Sequence, residues 1–456
     1  MKILMTMYQI QDYGGIINHV ENLTQGFREA GATVDIALLC PKKKIINVRS
    51  KRDDWQINPK GTGYRYNQAR GWTGLPKIPY LNKITRDRFR EKTLDYDAVI
   101  WHIPVPTLNK DNKGVSEWVD LYHPRAKHFG IIHDGNFPNL YPHLHHIKDL
   151  FSGLICVHEA AYYSTMRTGI DIPTKLIVNP FDLTEWQKDP EAYAPLNWDE
   201  RSGFASAQIF KGWKHVDQLI RAIPRMQNNE KKIVGGAGIE YRYMTSYDKC
   251  KDKYKEPDGT RIWDNAIRYN MDYVGVIPTP TFYQYMKAAK LQIDPSWSVK
   301  YSQFGAHFNR TTVEAMICGA VPVATDLGMN RSGIFIAGTN YLQLEYDSQP
   351  ANYAHSIDYW LSPDARAQWL DIRINNMEDI IPNFGFEKVI NNYMKFISEG
   401  DLDSGFDLVS RKNIFHSHAG FGQFDENQNK IIDYEQKLKE NSKKNLLFFG
   451  IRDANI

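Results

Sequence analysis

Cysteine is scarce in this chain: Cys40, Cys156, Cys250 and Cys318 are the only four in 456 residues, and they are widely scattered. Three of them lie in apolar runs, which suits reduced, buried thiols rather than a disulfide framework or a cysteine-based zinc site. No apolar run reaches about 18 residues, the length of a membrane-spanning helix, and the N-terminus lacks a charged region followed by an apolar core. These absences lead us to expect a cytoplasmic protein with no membrane span. Charge of one sign is also lacking overall, since the formal net charge is only +3. What remains is ordinary for a globular protein, 42% hydrophobic and 24% charged, with length enough for two domains.

The near-neutral total hides a local excess. Residues 41–95 hold fifteen Lys or Arg against five acids, a net charge of +10, so the rest of the chain sums to −7. Lys42, Lys43, Lys44, Arg49, Lys51 and Arg52 lead this segment, and Trp55, Tyr64, Tyr66, Trp72, Tyr80 and Phe89 are interleaved with its charges. Cations that neutralise phosphates, mixed with rings that stack on bases, make up a nucleic-acid surface. The same composition also describes a solvated basic loop, so a polyanion partner stays an open expectation.

Around this segment the pattern is α/β. KILMTMY, a turn-rich loop, INHVENLTQGFREAG and ATVDIALLC form a strand, loop, helix, strand unit, with Gly14 and Gly15 opening the helix where bare N–H groups can face an anion. Residues 97–102, 128–134, 153–158 and 175–180 are four apolar strands, each with a polar residue at its carboxyl end. Their spacing predicts a parallel sheet whose strand ends line one crevice. His133 and Asp134 end the second of these strands, where an imidazole can donate to a hydroxyl and a carboxylate can orient it, or where the pair can simply cap the next helix. After a linker over 183–203, a second lobe opens with a short strand ending in Lys211-Gly212.

Residues 308–328, FNRTTVEAMICGAVPVATDLG, organise that second lobe. The spacing predicts a helix over 309–318 that stops at Gly319 and feeds a strand over 321–325. Such a helix presents its N-terminal turn, with Thr311 and Thr312, at the carboxyl end of the neighbouring strands, where open α/β sheets bind nucleotides. Glu314 is the only charged residue between Thr311 and Thr325, and a ribose diol is a fitting partner for a carboxylate in such apolar company.

VEAMICGAVPVATDLG resembles the donor-site signature of retaining GT-B glycosyltransferases of family 4. The resemblance extends in order to the Gly14-Gly15 pair, GATV at 31–34, HD at 133–134, NPFD at 179–182, KG at 211–212, GGAGIE at 235–240, the strand and loop around Gly275 and LQIDPS at 291–296. It covers most of residues 1–400, and HD, KG and EAMICGAVPV also resemble phage DNA α-glucosyltransferases. It implies an α/β GT-B fold: a Rossmann-like acceptor lobe over 1–183, a Rossmann-like nucleotide-sugar lobe over 204–384, then a crossing helix and tail over 385–456. It further implies donor binding by Gly14, Gly15, Lys211, Lys214, Gly236, Val276, Thr311, Thr312 and Glu314, with His133, Asp134 and Lys211 at the reaction centre. No cofactor or metal is implied, because Lys side chains and helix N-termini neutralise the diphosphate.

Three positions depart from the pattern. Ala306 stands where the first Glu of E-x7-E is expected, so Gln303 or His307 would take over its hydrogen bonds and the sugar preference would shift. Asn309 replaces a usual Gly. Ser206 replaces an upstream Arg, for which Lys214 or Arg201 would compensate. The expected activity is transfer of a sugar from a nucleotide-sugar, a UDP-sugar by preference, to a hydroxymethylated pyrimidine in phage DNA. A glycan or lipid-linked acceptor and a non-catalytic nucleotide-sugar-binding module are the alternatives.

Overall fold

The structure, a computed structural model, describes residues 1–7, 15–39, 55–57, 64–66, 77–78, 83–102, 121–133, 144–167, 169–183, 186, 197–208, 214–236, 255–275, 277, 279–296, 309–325, 335–344 and 349–400. In chain order the first lobe comprises β1 (Lys2–Met7), α1 (Gly15–Glu29), β2 (Thr33–Leu39), β3 (Trp55–Ile57), β4 (Tyr64–Tyr66), β5 (Lys77–Ile78), α2 (Lys83–Lys92), β6 (Ala98–Trp101), β7 (His128–Ile132), β8 (Phe151–Cys156), α3 (Glu159–Arg167) and β9 (Thr174–Leu176). Seven of these strands form one sheet in the order β5-β2-β1-β6-β7-β8-β9, parallel throughout. The fully buried runs Ala98–Trp101 and His128–Ile132 are what a parallel strand covered on both faces requires. Sequence order reverses between β1 and β6, so a crevice opens at their carboxyl ends.

The second lobe repeats the plan. It contains β10 (Phe204–Ala207), α4 (Val216–Ala222), β11 (Lys232–Gly235), α5 (Ile262–Ile267), β12 (Met271–Gly275), α6 (Thr279–Ala288), β13 (Leu291–Asp294), α7 (Arg310–Ile317), β14 (Val321–Ala324) and β15 (Leu342–Gln343), followed by α8 (Pro350–Leu361) and α9 (Arg366–Asn375). Its six strands run β12-β11-β10-β13-β14-β15, again parallel, with the reversal between β10 and β13.

A final helix, α10 (Phe386–Glu399), leaves the second lobe and packs on the first. Its apolar face, Val389, Ile390, Tyr393, Phe396 and Ile397, repeats at helical spacing and is buried. Tyr393 meets Phe27 of α1 edge-on at 5.8 Å, and Phe396 does the same with Phe129 of β7. Gly153 permits that approach, since a Cβ there would stand 2.7 Å from the Phe396 ring. Just before α10, the Phe181 N–H donates to Phe384 O at 2.8 Å, so the end of the first lobe is stitched to the segment that returns to it.

The basic segment divides. Trp55 and Tyr66 are in register in the antiparallel pair β3–β4, whereas Lys42, Lys43, Lys44, Arg49, Lys51 and Arg52 lie outside the described residues. Residues 83–92 are the crossover helix between β5 and β6. Phe89 is therefore a core residue and not a free stacking ring: it is buried and lies edge-on to Trp101 at 6.2 Å. Among the described residues, no helix is long and apolar enough to cross a membrane. Cys156 and Cys318 are buried free thiols, and burial pushes both up to about 12.

Candidate active site

In the second lobe, α7 ends as its sequence dictates. Gly319 adopts φ +87°, its N–H donates to Met316 O, and the Ala320 N–H donates to Ala315 O, the paired bonds of a Schellman turn. This turn delivers the chain directly into β14, which pairs with β13. The opposite end of α7 thereby points at the β10/β13 crevice.

Asn309 precedes that end and makes no side-chain bond to the helix amides. Instead it links two groups. Its carboxamide oxygen accepts from Lys214 Nζ, and its nitrogen donates to the Asp294 carboxylate at the end of β13. Ser296 extends the network: its N–H donates to Asp294 Oδ1 at 3.1 Å, and its Oγ lies 3.0 Å from Gln208 Oε1 just beyond β10. A glycine at 309 could bond neither Lys214 nor Asp294, so the departure at that position has a physical role. Lys214 is held, buried, beside the N-terminus of α7, where a cation and helix amides together suit an anion. Thr312 is buried, with its Oγ1 unpartnered among the described residues, and Thr311 is half-buried.

Glu314 is buried one turn further along α7, and Arg310 Nε donates to its Oε1 at 3.0 Å. The carboxylate thus has a charged partner within the protein, which the expectation based on an isolated Glu did not provide. Arg310 also spans the lobes. Its Nη1 donates to Pro180 O at 3.4 Å, and its guanidinium lies 4.3 Å from the centre of the Phe181 ring. Asn22 of α1 donates to the same Pro180 carbonyl at 2.8 Å, so the NPFD segment connects α1 to α7.

Near the far edge of this sheet, Gly236 and Gly275 adopt φ +133° and +64°. The Gly236 N–H donates to Gly275 O at 2.7 Å, and Tyr273 Oη donates to Gly236 O at 2.9 Å, which sets the strand-end loops after β11 and β12 side by side.

Arg201 does not compensate for Ser206. It precedes β10, at the amino end of the sheet and away from Asp294, and donates to Met286 O, Ala289 O and Cys318 O at 3.2, 3.1 and 3.1 Å. Its charge answers the carbonyl ends of α6 and α7. Arg201→Leu should therefore cost at least about 2 kcal/mol of stability in urea unfolding, since buried carbonyls lose their donors. Nucleotide affinity of the folded variant should stay unchanged; a selective loss of nucleotide binding would return Arg201 to the donor site.

In the first lobe the crevice at β1/β6 holds histidines. His102 follows β6, His133 follows β7, and His19 comes from the second turn of α1. Their ring centroids are 5.0 to 5.7 Å apart. Burial drives all three well below the usual imidazole value, His133 to about 3, with the neighbouring histidines adding to the effect. His133 is therefore a neutral imidazole across the physiological range, suited to hydrogen bonding rather than to work as a charged acid. His158 stands behind it. Its Nδ1 accepts from the Ala161 N–H at 3.1 Å, which leaves Nε2 to donate to His133 O at 3.2 Å. Gly15 begins α1. Gly14, Asp134, Lys211, Val276, Gln303, Ala306 and His307 lie outside the described residues.

Sequence reasoning missed His19, His102 and Arg310. For Arg310 a signal existed, its spacing of four from Glu314 along one helix. The histidines come from three separate elements that only the strand order brings together.

Two parallel-sheet Rossmann-like lobes, each with its switch-point crevice, and a helix crossing back from the second to the first define the GT-B fold. Known proteins agree at that level. The structure resembles Anabaena HepE in complex with UDP and glucose, with a TM-score of 0.58, 15% identity and coverage of 87% of this chain and 99% of that one. It also resembles TarM of S. aureus in complex with fondaparinux, α-GlcNAc-glycerol and UDP (0.58, 15%, 87% and 100%). A third likeness is to an α-glucosyltransferase in complex with UDP-glucose and DNA containing an abasic site (0.59, 12%, 87% and 99%). In sequence, the chain is 24% identical over 238 residues to O-antigen chain mannosyltransferase C of Escherichia coli, a stretch covering 51% of this chain and only 60% of that protein. No family model matches.

Proposed function

We propose that this chain is a retaining glycosyltransferase that moves a sugar from a UDP-sugar to a hydroxymethylated pyrimidine in DNA. The observation that carries the donor half is the Lys214–Asn309–Asp294 network at the N-terminus of α7, which fixes a buried cation beside the first turn of a helix that has no side-chain cap. The diphosphate binds there, and its charge grows as the glycosidic bond breaks, so fixed donors favour the transition state over the ground state. The ribose lies on Glu314, the base lies against the loops after Gly236 and Gly275, and the sugar reaches across the cleft toward His133. The family resemblance assigns Lys211 to the diphosphate and Asp134 to the reaction centre; both lie outside the described residues. HepE, TarM and the α-glucosyltransferase, solved with UDP or UDP-glucose, support the choice of donor.

The acceptor rests on the +10 segment over 41–95, with the DNA-bound α-glucosyltransferase as support. A glycan acceptor is favoured by one observation, the sequence match to an O-antigen mannosyltransferase. Salt separates the two. Affinity for duplex DNA should fall steeply with salt, with a log–log slope of roughly −0.9 per phosphate contacted. Replacing Lys42, Lys43, Lys44, Arg49, Lys51 and Arg52 by Gln should flatten that slope and leave UDP binding almost unchanged. A chain that does not bind duplex DNA even at low salt sinks the DNA reading and leaves the glycan.

A further inference from the structure

The histidine cluster of the first lobe has a property that sugar transfer does not require. One ring nitrogen from each of His19, His102 and His133 lies within 4.8 Å of the corresponding nitrogen of the other two. The rings converge from different directions: His102 and His133 are nearly parallel at 21°, and His19 stands edge-on to both, at 76° and 89°. Four of their six ring nitrogens have no hydrogen-bond partner among the described residues. His19 Nδ1, both nitrogens of His102 and His133 Nε2 are buried in that state, while the Tyr393 hydroxyl lies 3.5 Å from His19 Nε2 and the Asn179 side chain also acts on His19.

Leaving several imidazole nitrogens dry and unpaired is costly, and native structures seldom tolerate it without a reason. The three groups do not satisfy one another: His102 and His133 stack face to face, and His19 meets both edge to face. We infer that His19, His102 and His133 form a binding site for one first-row divalent transition-metal ion, with zinc as the best-fitting member. Neutral imidazole is the ligand such ions take, whereas magnesium and calcium need oxygen donors, and the cluster among the described residues is made of three histidines. Three protein nitrogens leave a fourth tetrahedral position for water or another ligand.

The geometry requires a small adjustment. Zinc–nitrogen bonds of about 2.0–2.1 Å in a tetrahedral site place the ligand nitrogens about 3.3 Å apart, so the present separations must close by roughly 1.5 Å at most. Zinc binding therefore requires the side-chain torsions of the three histidines to adjust. Arg310 acts on His19 as a like charge to a bound cation, but its guanidinium is paired with Glu314 at 3.0 Å. Outside the cluster, His158 is committed to the His133 carbonyl and to the Ala161 N–H and is not a ligand.

The test uses the full chain, stripped with a chelator and titrated with Zn²⁺ alone by calorimetry, with Co²⁺ absorption as a second readout. One equivalent should bind, and Co²⁺ should give the visible bands of a tetrahedral nitrogen-rich site. His102→Ala and His19→Ala should each weaken binding by about a hundredfold or more, and together abolish it. His355→Ala, an exposed histidine on α8, should change nothing. Binding that survives in the His19→Ala/His102→Ala chain with the same stoichiometry overturns the site. If that variant does not fold, X-ray absorption of the zinc-loaded wild-type chain decides. Three imidazole nitrogens at about 2.0–2.1 Å support the site, and a shell dominated by oxygen or sulfur, or no retained zinc, overturns it.

Discussion

Replacing Lys214 by Met lowers turnover by on the order of a hundredfold when UDP-sugar and acceptor are both saturating. Lys214 is buried and bonded to Asn309, so its ammonium cannot swing away, and nothing else described at the N-terminus of α7 carries a positive charge toward the β10/β13 crevice except Arg310, which is spent on Glu314. A fixed cation contributes most where charge develops, at the departing diphosphate, and least to the acceptor. The loss should therefore fall on turnover and on UDP affinity, with acceptor affinity little altered. Lys211→Ala should act in the same direction and by a similar amount, and the double variant should lose less than the sum, because both cations serve one charge. Normal turnover in Lys214→Met would reduce Lys214 to a structural brace for Asn309.

Glu314→Gln should lose about 1–3 kcal/mol of UDP binding, the worth of charge-assisted bonds to the ribose hydroxyls. A second effect follows from the Arg310 pair. Both side chains are buried, at 10% and 5% exposure, so removing the carboxylate charge leaves the guanidinium uncompensated, and breaking such a pair costs about 3–5 kcal/mol of stability. Gln retains one acceptor for Arg310 Nε and should show the smaller end of that range; Glu314→Ala should show the larger. Calorimetric UDP titration and urea unfolding separate the two effects. Lower stability with unchanged UDP affinity would confine Glu314 to holding Arg310 across the lobes.

Much of the second lobe was legible in the sequence because its signals are local. Gly319 after an apolar helix marks both the left-handed turn and the strand that follows, and the structure has both. Strand-end polar residues such as His133 were legible for the same reason, since a fully buried run must stop where a polar group appears. The misreadings all concern which end of an element a residue occupies, or which elements meet. Arg201 is close to β10 in sequence but lies at its amino end, and a parallel sheet puts that end far from the crevice. Phe89 was hidden among the charges of α2, where too few apolar residues show helical spacing. The His19–His102–His133 cluster depends on β1, β6 and β7 being neighbours under α1, a fact of strand order and not of spacing.

The most direct test of the account is to incubate the chain with a UDP-hexose and duplex DNA bearing hydroxymethylated pyrimidines, and to follow the DNA by mass spectrometry alongside released UDP. Each modified base should gain one hexosyl unit, UDP should appear in equal amount, and the same duplex without hydroxymethyl groups should gain nothing. UDP bound but never released, with the DNA mass unchanged across the panel of UDP-sugars, would contradict it and leave a nucleotide-sugar-binding module.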